Sequence, residues 1–125
     1  MSKNKTGVKK SNTYKKSVDL EFLRTVTGSD TQFEKELFVI FLDSAKNNIT
    51  KMEKAIANTD DHSWHMASHS FKGAASAIGA FDLSKALEYA QTHPKENYDA
   101  KAKVLDNIKE EFAKVSEFIN QELLK

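Results

Sequence analysis

One histidine stands out in this sequence because of the residues on its C-terminal side. His69 precedes Lys72 and Gly73, then the small residues Ala74, Ala75, Ser76 and Ala77, then Ile78 and Gly79. Near pH 7 an imidazole is largely neutral and keeps a ring-nitrogen lone pair. It can therefore attack phosphorus and hold a phosphoryl group as a phosphoramidate. Lys72 lies within side-chain reach of His69 if the segment is helical, and its ammonium can offset phosphoryl charge. Gly73 costs a helix about 1 kcal/mol relative to alanine. One turn beyond His69 on the same side, it leaves room beside the imidazole for a partner's backbone. Alone, an exposed histidine usually has no special role; the Lys-Gly context gives this one weight.

Those residues need a helix with one face buried. On a wheel of roughly 100° per residue, Trp64, Ala67, Phe71, Ala74 and Ile78 share one face. His69 then points roughly 160° away from Phe71. His62, His65, Lys72, Gly73 and Ser76 fall on its side. This helix is predicted to start after the Asn58-Thr59-Asp60-Asp61 turn and to stop at Gly79. Upstream, a short helix from Asp19 to about Thr27 is broken by Gly28-Ser29. A second helix is capped by Asp30 or Thr31, with Thr31 and Glu34 fitting a capping box. Phe33, Leu37, Phe41, Ala45, Ile49, Met52 and Ile56 form its apolar series. Downstream, Asp82 is placed to cap a fourth helix carrying Leu83, Leu87 and Ala90, ending near His93 because Pro94 comes next. The last helix runs from about Tyr98 to Leu124, with Leu105, Ile108, Phe112, Val115 and Ile119 as its stripe. Short connections make successive helices antiparallel neighbours. The expected fold is all-α: an up-and-down four-helix bundle with an additional short N-terminal helix.

Composition bounds the rest. The chain has 125 residues, 39% of them hydrophobic and 30% charged, with 4 Gly and 1 Pro. That fits one helical domain. There is no Cys, hence no disulfide or thiolate metal site, which suits the cytoplasm. No apolar stretch is long enough to span a bilayer. Residues 1–17 carry six Lys and no acid; the remaining 13 basic and 18 acidic residues leave residues 18–125 at −5. A mildly acidic body has no basic face for nucleic acid. Residues 1–17 read as a flexible leader or linker, and residues 18–125 as the domain.

The run from His69 to Ala80 resembles the motif of histidine-containing phosphotransfer (HPt) domains: His, any residue, an apolar residue, Lys, Gly, small residues, Gly. Leu83 and the Leu87-Glu88 pair resemble its continuation. Asp19 and the Gly28-Ser29-Asp30 turn leading to Phe33 resemble its opening helices. The resemblance covers roughly residues 18–124. It departs at Ala74, where Ser is common, and at Phe71, where Leu is common. It implies that His69 takes a phosphoryl group from a receiver-domain phospho-aspartate and passes it to another receiver Asp. Lys72 would steady the group and Gly73 would clear the approach. His65, Ser68, Ser70 and Ser76, bordering His69, are the candidates for partner binding. The chain would be a phosphocarrier and not an enzyme in its own right. It would have no cofactor of its own, Mg²⁺ being supplied by the receiver. Its partners would be response-regulator receivers and a hybrid sensor kinase, and it would act as a monomer.

Other readings share these features. The domain could originate from a hybrid or chemotaxis-type kinase, or be an interaction bundle without phosphate chemistry. His62, His65 and His69 at i, i+3 and i+7 could bind Zn²⁺ or Cu²⁺, but no carboxylate is placed to complete the shell, so no metal is expected. A dimerising histidine domain of a sensor kinase would carry an acidic, Pro-containing sequence after its histidine, unlike Lys72-Gly73.

Overall fold

The computed structural model describes residues 17–125, and every element among them is helical. The helices are α1 (Leu20–Thr27), α2 (Thr31–Ala57), α3 (Asp61–Ala77), α4 (Phe81–Thr92) and α5 (Tyr98–Leu123). Apart from Ser17, the leader expected over residues 1–17 lies outside the described residues. Connections of three residues join α1 to α2, α2 to α3 and α3 to α4, and five residues join α4 to α5. Each of α2 to α5 packs on the next, and α5 packs back on α2, so four helices close a ring. The short α1 rests mainly on α2. This is the expected up-and-down bundle with an extra N-terminal helix.

The starts of the helices show why these segments fold where they do. Asp19, Asp30, Asp60 and Asn97 each accept a hydrogen bond from the backbone N–H three residues on, at Phe22, Phe33, Ser63 and Ala100. Such side chains satisfy N–H groups that have no intrahelical partner. The Ser63 side-chain and backbone hydrogen bonds also hold the Asp60 carboxyl below its ordinary value. Two expected caps are corrected. Thr31 and Glu34 form no capping box, because Asp30 takes that place. Glu34 is instead buried, accepting from the Arg24 guanidinium at 3.2 Å and the Thr27 hydroxyl at 3.1 Å. That pair of bonds ties α1 to α2. Asp82 likewise does not cap α4: the capping position is Ala80, without a side-chain bond, and Asp82 sits in the first turn. There its charge still complements the helix dipole.

The core is built from the apolar faces of all five helices. Phe41, Phe71 and Phe112 meet with ring centroids 6.2–6.3 Å apart, joining α2, α3 and α5. Burying a side chain of this size contributes about 1.5–3 kcal/mol. Trp64 is fully buried, and its indole N–H donates to the Ala90 carbonyl at 2.9 Å. The Lys101 ammonium lies 5.4 Å from the centre of the Trp64 ring and pairs with Asp61 at 2.6 Å. Lys101 is itself buried, so the ring and the carboxylate together replace the water it has lost. Phe33, expected in the apolar series of α2, is exposed, and Phe38 is buried in the core.

The turn after α3 depends on glycine. Gly79 has φ +81°, and its carbonyl accepts from the Asp19 N–H at 2.9 Å. A Cβ at this position would sit 2.9 Å from the Asp19 carbonyl oxygen. The positive φ and the close approach of the chain leading into α1 both require a residue without a side chain. Gly79→Ala should therefore lower the free energy of unfolding by about 1–3 kcal/mol, from strain and lost packing together. Urea unfolding followed by circular dichroism measures this, and an unchanged midpoint would contradict it.

Candidate functional site

α3 turns one face inward and presents the other to solvent. Trp64, Ala67, Phe71, Ala75 and Ile78 are buried, as is Ser68. His69 is exposed on the opposite side. Its Nδ1 lies 3.0 Å from the Gln91 side-chain nitrogen on α4. The ring is thus held through Nδ1, while no hydrogen bond among the described residues engages Nε2.

A second line of contacts fixes that position. Ser76 meets Ser84 with hydroxyl oxygens 2.6 Å apart, and the Lys72 ammonium pairs with Glu88 at 3.1 Å. Gln91 then reaches His69, and the Gln91 carbonyl lies 2.9 Å from His65 Nδ1. Along α4 the residues run 84, 88, 91; along α3 their partners run 76, 72, 69. Steps of four and three in opposite directions are what two antiparallel helices at one register produce. The α4 flank of the site is therefore a polar ridge matched residue by residue to α3.

The Gln91 carboxamide carries a tension of its own. With its nitrogen toward His69, its oxygen is buried and has no hydrogen-bond partner among the described residues. An unpartnered buried oxygen is costly. Rotating the amide by half a turn exchanges the two ends. The choice decides the tautomer of His69. An amide N–H toward Nδ1 requires a lone pair there and puts the ring proton on Nε2. An amide oxygen toward Nδ1 accepts its proton and leaves the Nε2 lone pair free.

On the other flank, Met66 and Ser70 border a shallow cleft of about 480 Å³ between α2 and α3, lined also by Asn48, Lys51 and Lys54. Met66 is 51% exposed. Gly73 is exposed, and an added Cβ there would meet nothing within 4 Å. Its lack of a side chain therefore serves no packing need among the described residues.

The residues singled out from sequence fare differently. His69, Lys72 and Gly73 lie on one accessible face of α3, with Lys72 drawn toward α4. Ser70 is exposed, and Ser76 is half-buried against Ser84. His65 is half-buried, with one ring nitrogen occupied. Ser68 requires correction as a partner-binding residue. It is fully buried, and its hydroxyl donates to the Trp64 carbonyl at 2.7 Å. A small hydroxyl can be buried this way because it bonds back to the preceding turn. Among the described residues, no group of three or more His, Asp or Glu side chains is placed to hold a metal ion. Sequence reasoning passes over Gln91. Its spacing from Ser84 and Glu88 is the available signal, since the three form one polar line beside the apolar stripe of α4.

Fold and site together define an all-α bundle with one accessible, hydrogen-bonded imidazole at the middle of a helix face. A family model for the Hpt domain matches residues 36–118, more than half of the chain. Comparisons with curated proteins and with solved structures give no match. The chain belongs to the Hpt domain family. It is therefore a phosphotransfer module of the kind that works in phosphorelays. Members of that family carry phosphoryl groups without being catalysts, and they interact with receiver domains of response regulators. Among the described residues, no helix is long and apolar enough to cross a membrane.

Replacing Gly73 separates access from folding. Gly73→Ala should raise stability by about 0.5–1 kcal/mol, because alanine is the better helix former and the site has space. Thermal unfolding reads this as a higher Tm. A lower Tm would show that the glycine is needed for the fold.

Proposed function

We propose that His69 is the phosphorylated residue and that the chain relays phosphoryl groups between receiver domains. The observation that carries this reading is the exposed His69 ring, held through Nδ1 by Gln91 and open at Nε2. In the productive state the Gln91 amide is turned half a turn from the arrangement in the structure, so that its oxygen accepts the Nδ1 proton and the Nε2 lone pair is free. The Nε2 lone pair then attacks the phosphorus of a receiver's aspartyl phosphate. The N–P bond forms as the P–O bond to the aspartyl carboxylate breaks, and that bonding pair leaves with the carboxylate. The ring retains its Nδ1 proton, so a positively charged imidazolium faces the phosphoryl oxygens. Attack by the next receiver's carboxylate reverses these changes and returns the neutral imidazole.

Each neighbour has a part in this exchange. The Lys72 ammonium meets the equatorial phosphoryl oxygens, where charge accumulates. Gly73 lets the receiver's backbone close over the imidazole. Ser70 and Met66, beside His69 on the α2 flank, offer a polar and an apolar contact to the docked receiver. The receiver supplies Mg²⁺ and most of the transition-state electrostatics. The domain works in the cytoplasm as a monomer, with a hybrid sensor kinase as one source of phosphoryl groups.

Incubation with a phosphorylated receiver tests the assignment. The wild-type chain should acquire an acid-labile phosphate, and His69→Gln should acquire none while keeping its helicity. Lys72→Ala should slow labelling by roughly tenfold without abolishing it, a smaller loss than for a buried oxyanion donor because this ammonium is partly exposed. Equal labelling of His69→Gln would remove His69 from the reaction.

A further inference from the structure

The Lys72 ammonium already has a partner. Glu88 holds it at 3.1 Å, and the Glu88 carboxylate has no other side-chain partner among the described residues. Lys72 is the more covered of the two, with 28% of its side chain exposed against 59% for Glu88. One cation therefore stands between two anionic claims: the resident carboxylate, and a phosphoryl group arriving on His69 one turn away.

From this arrangement we infer that Glu88 is a positioning residue that parks Lys72 when His69 is free and gives it up when His69 is phosphorylated. The inference rests on His69 being the phosphoryl site. A phosphoryl group carries close to two negative charges near neutral pH, partly offset by the imidazolium that bears it, and offers three strong acceptor oxygens against two on the carboxylate. Two anions sharing one ammonium also repel each other. Both effects move Lys72 from Glu88 to the phosphoryl oxygens. Breaking the ion pair opposes phosphorylation modestly, as expected of an exposed pair. In return, Lys72 is kept extended along the α4 flank, away from the approach to His69. The phosphorylated chain then displays an unpaired Glu88 carboxylate beside the site, so the two states differ in surface charge on α4 as well as at the imidazole. A receiver can tell them apart at both places.

Phosphoramidate, a small phosphoryl donor that needs no docking surface, gives the test. His69 phosphorylation is monitored by ³¹P NMR in wild type, Glu88→Gln, Lys72→Ala and the double variant. Glu88→Gln keeps the size and shape of the side chain and should leave helicity unchanged. With Lys72 released, it should be phosphorylated about two- to fivefold faster than wild type, the range set by an exposed ion pair. The gain should fade in about 0.5 M NaCl as the pair in wild type is screened. The double variant should match Lys72→Ala alone, because the effect passes through Lys72. A Glu88→Gln rate equal to or below wild type overturns the exchange. So does a gain that survives in the double variant, since Glu88 would then act by its own charge. Labelling confined to His69 with either of those results leaves the phosphocarrier reading intact. Labelling that persists in His69→Gln removes both.

Discussion

The rotational setting of α3 is the constraint on which the site depends. A helix can turn about its axis only if its buried side chains allow it, and here they do not. Trp64 and Phe71 are fully buried, the first bonded to the Ala90 carbonyl and the second wedged between Phe41 and Phe112. A shift of one residue would swing every α3 side chain by about 100°, placing a polar group in the aromatic core. Withdrawing Phe71 from the core would cost about 3–5 kcal/mol, a large part of a small domain's stability. His69 is exposed because Phe71 cannot be.

The Trp64 bond to Ala90 has a second consequence, along the axis. It fixes the height of α3 against α4 and so determines which α4 residues meet the exposed face. With that register set, Ser84, Glu88 and Gln91 fall opposite Ser76, Lys72 and His69. Gln91 can then hold one nitrogen of the imidazole without covering the other. Lys101, buried against the Trp64 ring and paired with Asp61, ties the start of α5 to the start of α3. The chemistry of the face is thus supported from below by aromatic packing and from the side by a polar ridge.

Much of this is legible in the sequence, for physical reasons that can be named. The 3.6-residue periodicity around Trp64 and Phe71 gives the outward direction of His69, because burial of large aromatics dominates helix orientation. Asp19 and Asp60 mark helix starts, since few residue types satisfy the free N–H groups there. Ser68 misleads because its polarity suggests exposure while its position does not. It lies four residues after Trp64, on the buried face, and bonds to the preceding turn. Glu34 misleads for a related reason: a local capping pattern competes with tertiary partners, and Arg24 with Thr27 wins. Gln91 and the Lys72–Glu88 pair depend on the register between two helices. Periodicity within one helix fixes its face but not its height against a neighbour, so only the structure reveals these contacts.

In the proposed mechanism the imidazole is tethered by one nitrogen and reacts through the other. With the histidine rings labelled with ¹⁵N, phosphorus–nitrogen coupling in the phosphorylated chain identifies which ring nitrogen bears the phosphoryl group. The expected result is coupling to Nε2 of His69, with Nδ1 still protonated and held by Gln91. Phosphorus bound to Nδ1 would contradict it, because that nitrogen could then not be the one that fixes the ring.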